Sequence, residues 1–153
     1  AVGLEALTAD MGDPRTKEGN EKLYARARIV NAAKAAGIQP IDSVFSDVDD
    51  METLHRNVLS SKALGFEGMG CIHPRQIPVI RQGFAPGSEE IEKSKKIVLA
   101  FENARSKGLG VVALGSKMID PPVVERAQKI IDLTVRLGLL SGDWIKEIPA
   151  ELK

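Results

Sequence analysis

The side chains able to hold or move a proton gather at a few places in this chain. Asp47, with Asp49 and Asp50, crowds the end of the apolar stretch Pro40 to Phe45. His73 and Pro74 close a second such stretch, Glu67 to Ile72. Asp120 stands between Ile119 and Pro121-Pro122. Carboxylates and imidazoles act as general acids and bases when fixed beside a substrate. Each of these groups also has a plainer use. An Asp before Pro starts a helix, with the carboxylate as N-cap and the proline in the first helical position. Asp47 fits substrate binding and the cap of a helix starting near Met51 equally well. His73 fits a role near a substrate and a hydrogen bond to the backbone around Pro74. Asp49 and Asp50 read as solvated loop charges. Cys71 reads as a small buried apolar residue. It is not a nucleophile paired with His73, because successive strand-end residues diverge.

The elements that would hold these groups alternate. Val2–Leu7, Ile41–Phe45 and Glu67–Ile72 are short, apolar and strand-like. Between them the spacing predicts helices over about 20–36 and 51–64. Leu23, Ala27, Val30 and Ala33 recur at helical spacing in the first. Its four alanines, Ala32, Ala33, Ala35 and Ala36, would let it lie close to a sheet. Gly37, Gly65, Gly108 and Gly138 each follow a helical run, where a left-handed residue ends helices. A short helix over 76–81 follows His73-Pro74. Ser88 reads as the N-cap of the next helix, with Glu89 and Glu90 at its positive end. Val111 to Leu114 reads as a strand closed by a Gly115-Ser116 turn. A helix from Asp120 to about Leu137 comes after it. Trp144, Ile145 and Ile148 give the tail reason to dock. Strands alternating with helices imply parallel βα units, in either a doubly wound sheet or a (β/α)8 barrel.

Composition removes several function classes. Lys plus Arg equals Asp plus Glu, 21 each, so the formal net charge is zero and no charge run recruits nucleic acid or an anionic membrane. No apolar run approaches the ~20 residues of a spanning helix. A single cysteine in 153 residues makes no internal disulfide, which suits a reducing cytoplasm.

Lys117-Met-Ile-Asp-Pro-Pro-Val-Val124, downstream of Ile72-His-Pro-Arg-Gln-Ile77, resembles the citrate lyase beta subunit family. That family belongs with the CoA-ester lyases that include malyl-CoA lyase (HpcH/HpaI aldolase-like). The likeness also runs through Gly3-Leu-Glu-Ala-Leu7, Arg15-Thr-Lys-Glu-Gly19, Gln39-Pro-Ile-Asp-Ser-Val-Phe-Ser-Asp47 and Gly65-Phe-Glu-Gly68. Several motifs in one order are more specific than any one of them. The resemblance implies an α/β fold, the C-terminal half of a (β/α)8 barrel with parallel strands and outer helices. Residues 1–108 would be the second-half βα units. Residues 109–153 would be a hairpin, helix and tail that contact a neighbouring subunit. Members of the family are about twice this long.

The resemblance also implies the chemistry. Such lyases cleave a C–C bond in a 3-hydroxyacyl thioester, using Mg2+, a base for the hydroxyl proton and an acid for the departing enolate. Asp120 matches the acid–base carboxylate, which reaches a neighbouring subunit's site. Asp47, His73 and Pro74 would lie against the CoA or acyl-carrier thioester. Arg15 and Lys17 could meet CoA phosphates. The family's metal ligands are a glutamate from an earlier strand and an aspartate directly after Gly-x-Glu. This chain lacks that strand and has Ala6 at the aspartate position. Glu5 and Asp10 are then the candidate ligands; a paired strand carboxylate and a turn residue are their plainer readings. Met69 stands where relatives often carry lysine. The implied reaction takes a citryl thioester to oxaloacetate and an acetyl thioester. Malyl-CoA or another 3-hydroxyacyl-CoA is the alternative substrate. A non-catalytic barrel piece that binds CoA or a partner is the alternative function. The implied partners are further copies of the chain, as in a trimer, or other citrate lyase subunits.

Overall fold

A computed structural model describes residues 1, 3–12, 16, 19–108, 112–114 and 117–148. Its contacts divide the chain into two compact units, Ala1–Ala85 and Pro86–Lys153.

The first unit opens on helix α1, Leu4–Met11, where the sequence reading placed a strand over Val2–Leu7. The local chemistry explains the correction. Leu, Glu, Ala and Met are strong helix formers. Leu4 and Thr8 share one face and are both buried, and Thr8 Oγ1 donates to the Leu4 carbonyl at 2.9 Å. A single 3-10 turn, Asn20–Lys22, leads into α2, Leu23–Ala35. Of the four alanines near its end only Ala33 is buried.

Strand β1, Ile41–Asp42, pairs in parallel with β2, Gly68–Met69, in the register Ile41↔Gly68 and Asp42↔Met69. Helix α3, Met51–Leu64, connects them, so β1-α3-β2 is one parallel βα crossover. Both strands are shorter than the apolar stretches that contain them. The predicted stop at Gly65 holds. Its φ is 101°, and the Gly65 and Phe66 N–H groups close the helix on the carbonyls of Lys62 and Ser61. An L side chain is strained in that conformation. Helix α4, Gln76–Phe84, runs three residues past the predicted end and packs on α3. Gly83 makes that packing close, because a Cβ there would lie 2.4 Å from Val58 Cγ1. Leu54 and Val58 on α3 are fully buried, and Phe66 is nearly so.

The second unit is built on α5, Ser88–Ser106, and α6, Pro121–Arg136, which pack together. The N-cap of α5 is Gly87 and not Ser88, and no side chain caps it. Glu89 and Glu90 do occupy its first turn. Strands β3, Val112–Leu114, and β4, Lys117–Ile119, form an antiparallel pair with Val112 opposite Ile119. The predicted Gly115-Ser116 turn lies outside the described residues. Ile97, Val98, Ile119, Ala127, Ile131 and Trp144 form the core, with Phe101 and Ile148 packed against it. Trp144 therefore docks the tail as the sequence suggested, while Ile145 is exposed.

Candidate functional site

The segment after β1 and the segment after β2 carry most of the first unit's candidate groups. Gln76, the first residue of α4, ties them together. Its side chain is fully buried. Nε2 donates to the Phe45 carbonyl at 2.8 Å, and Oε1 accepts the Ile72 N–H at 3.0 Å. Asp47 lies two residues beyond the first contact and His73 one residue beyond the second.

Asp47 is exposed. Its Oδ1 accepts the N–H groups of Asp49 at 3.1 Å and Asp50 at 3.2 Å. It shapes the turn before α3 and does not cap the helix. That cap is Asp50, whose Oδ1 accepts the Thr53 N–H at 2.9 Å, so Asp50 is not the solvated loop charge expected. Asp49 is exposed and faces the Arg75 guanidinium at 3.4 Å. His73 is half-buried. Its Nδ1 accepts the Arg75 N–H at 3.2 Å and its carbonyl accepts the Gln76 N–H at 3.0 Å. This is the backbone role around Pro74. Pro74 is exposed, and its carbonyl accepts the Ile77 N–H. Cys71 is exposed, not buried as its size and neighbours suggested.

Below these segments runs an ion-pair network that sequence reasoning did not single out. Asp42 on β1 is buried, with Oδ2 2.6 Å from Arg26 Nη2 and 3.1 Å from Arg26 Nε. Arg26 Nη2 also donates to Ser61 Oγ at 2.9 Å, and the guanidinium lies 5.7 Å from the Phe66 ring centre. Ser61 Oγ is 2.6 Å from Asp42 Oδ2 and 2.8 Å from the Asn57 carbonyl, and donates to one of them at a time. Asp42 Oδ1 accepts the Ser43 N–H at 2.8 Å. The one sequence signal was a carboxylate in an apolar strand, between Ile41 and Val44, which demands a partner.

Arg26 and Asp42 of this network line a cleft of about 600 Å³. Lys22, Arg56, Ser43, Thr53 and Asn57 also line it, as does Met69. Asp47, His73 and Pro74 are not in its described lining. Beside Thr16 and Lys22, which line it, Glu21 Oε2 accepts the Thr16 hydroxyl at 2.7 Å, Oε1 accepts the Thr16 N–H at 3.2 Å, and Lys22 Nζ is 3.2 Å away. Desolvation works against ionisation of Glu21. The hydrogen bonds from Thr16, from backbone N–H groups and from Lys22 outweigh it and hold the carboxyl at about 2, below the ordinary 4.5.

Glu5, Ala6 and Asp10 all lie on α1, with Asp10 exposed near its end. Ala6 has no side-chain donor atom. Among the described residues no three His, Cys, Asp or Glu side chains are grouped to hold a metal ion. The donors described here do not make a complete magnesium site. Asp120 lies in the second unit. It is the N-cap of α6, with Oδ1 accepting the Val123 N–H at 3.2 Å and Pro121 following at the first helical position.

Residues 1–74, which hold α1, the cleft and both segments tied by Gln76, match the HpcH/HpaI aldolase/citrate lyase family. The likeness to this family read from the sequence motifs is borne out. It is 41% identical over 149 residues to citrate lyase subunit beta of Leuconostoc mesenteroides, covering 96% of this chain and 49% of that protein. It is 36% identical to mitochondrial citramalyl-CoA lyase of Mus musculus, over 88% of this chain and 40% of that protein. Among solved structures it is similar to the CitE protein of Mycobacterium tuberculosis in complex with magnesium, acetoacetate and coenzyme A. That likeness has a TM-score of 0.74 at 30% identity, over 87% of this chain and 50% of the other. The chain thus spans about half the length of the curated relatives it matches. The aldolase/citrate lyase likeness agrees with a helix-rich α/β fold of few strands. Among the described residues no helix is long and apolar enough to cross a membrane.

Proposed function

We propose that this chain is the C-terminal half of a cytoplasmic lyase that cleaves a citryl thioester into oxaloacetate and an acetyl thioester. The observation that carries the reading is the 41% identity to citrate lyase subunit beta along almost the whole chain. In this reading β1 and β2 belong to a (β/α)8 barrel, with residues 1–108 as barrel units. Residues 109–153 are a subunit-contact segment of a homo-oligomer or of a larger citrate lyase assembly.

Cleavage requires the substrate hydroxyl to lose a proton and the leaving enolate of the acetyl thioester to gain one. Asp120 is the group proposed to carry that proton. Its Oδ1 engages the Val123 N–H, which fixes the carboxylate, while Pro121 and Pro122 stiffen the chain beyond it. Oδ2 is then the oxygen that meets the substrate. Asp47, His73 and Pro74 are proposed to line the thioester. Magnesium would hold the hydroxy acid and stabilise charge on the oxo acid when bound. Ala6 cannot ligate it, and Glu5 and Asp10 alone do not complete a site, so no step is assigned to the metal here.

The similarity to citramalyl-CoA lyase favours a second reading, a 3-hydroxyacyl-CoA lyase with a different acid portion. Ala6 favours a third, a barrel piece that binds CoA or a partner without catalysis. The test is Asp120→Asn in the full-length protein. Asn caps helices as well as Asp, so the fold and melting temperature should hold. Turnover of citryl-CoA should fall ~10²-fold or more. Near-normal turnover in a folded variant would remove Asp120 from the mechanism.

A further inference from the structure

Gln76 is buried, yet it is no packing residue. Both ends of its amide are used, and each reaches a different segment. Nε2 can only donate and Oε1 can only accept, so the Phe45 carbonyl and the Ile72 N–H together fix which way the amide points. Its own backbone N–H closes a turn on the His73 carbonyl. The two segments it joins are those that follow β1 and β2; just past the ladder the Gly70 N–H donates to the Asp42 carbonyl at 3.1 Å, and between residues 43–48 and 71–75 no backbone hydrogen bond is described.

We propose that Gln76 is a positioning residue for the thioester site: it sets the spacing between the segment carrying Asp47 and the segment carrying His73. This rests on the reading of those residues as the thioester's lining. Only a neutral group that donates at one end and accepts at the other does the work. A methionine there would fill the space and make neither bond. A carboxylate would accept from Ile72 but meet the Phe45 carbonyl with a lone pair. A protonated carboxyl would donate again and restore both bonds.

The test uses the full-length protein with acetyl-CoA as probe, so that it does not depend on turnover. Affinity is measured by calorimetry, and hydrogen exchange is followed in the peptides spanning 43–48 and 70–75. Gln76→Met should speed exchange in both peptides, leave α5 and α6 unchanged, and weaken acetyl-CoA about tenfold at every pH. Gln76→Glu should bind as the wild type does at low pH and lose affinity as pH rises through its carboxyl's pKa. Faster exchange with unchanged affinity in Gln76→Met would reduce Gln76 to a structural residue and overturn the proposal. A pH-independent Gln76→Glu would overturn it too. Failure of the wild type to cleave any hydroxyacyl thioester would sink the lyase reading alone. The affinity comparison would still decide the role of Gln76.

Discussion

Asp42 and Arg26 carry the sharpest energetic consequence of any pair in the chain. Asp42 is nine-tenths hidden and more, and Arg26 supplies two of its hydrogen bonds. Removing one partner of a buried pair strands the other charge and costs about 3–5 kcal/mol. Arg26→Met should therefore lower the unfolding free energy by that order, read from denaturant titration. A loss under about 1 kcal/mol would mean that Ser61 and water satisfy Asp42 unaided. Glu21 makes a pH-dependent contribution. Its folded pKa, about 2, lies below the ordinary 4.5. The ionised form is the one favoured by folding, so its stabilisation is complete above about 4.5 and is lost as pH falls towards 2. Comparing Glu21→Gln with the wild type, the gap in melting temperature should be full at pH 7, shrink below about 4.5 and close near pH 2. A gap that stays constant with pH would contradict the hydrogen-bonded carboxylate. At this scale the sequence was legible where the partner is adjacent. Asp120 caps because Pro121 follows it, and local pattern says so. Arg26 and Asp42 stand 16 residues apart on different elements, and Gln76 and Phe45 stand 31 apart. No local pattern reports such meetings.

The helices were the legible elements. Helix α3 runs from Met51 to Leu64 as read, because its apolar spacing and Gly65 are both local signals. Strand lengths were not legible, because a strand exists only where a second strand pairs with it. The stretch 41–45 contributes two residues to a ladder and the stretch 67–72 contributes two. The first strand failed for another reason. Apolarity alone marks Val2–Leu7 as a strand, while Leu4, Ala6 and Leu7 fit a helix better and Gly12 ends it in the left-handed conformation. Between α3 and α4 the packing gives a direct prediction. A Cβ on Gly83 would overlap Val58, whose own side chain is fully buried. Gly83→Ala should destabilise the first unit by about 1–3 kcal/mol, the usual cost of overpacking, despite alanine's better helix propensity. A neutral or stabilising Gly83→Ala would show that α3 and α4 separate freely.

For the whole molecule, the order of elements read from sequence survives from α2 to the tail, and two of the three strands expected in the βα units are parallel neighbours. The barrel proposed for it rests on resemblance, since periodicity does not distinguish a barrel from an open sheet. Large apolar side chains stand exposed, Tyr24 at 75%, Ile38 at 62% and Met118 at 69% among them. In the proposed half-barrel, open sheet edges and uncovered helix faces invite a partner. Sedimentation of the chain at micromolar concentration should show species heavier than one copy, and a stable compact monomer would contradict this. The central claim is cleavage of a hydroxyacyl thioester. It is tested most directly by incubating the full-length protein with citryl-CoA and Mg2+ and quantifying both products by mass spectrometry, with citramalyl-CoA and malyl-CoA in parallel. Oxaloacetate and acetyl-CoA are expected in equal amounts from citryl-CoA. Intact thioester in all three reactions, from protein that still binds acetyl-CoA, would contradict it.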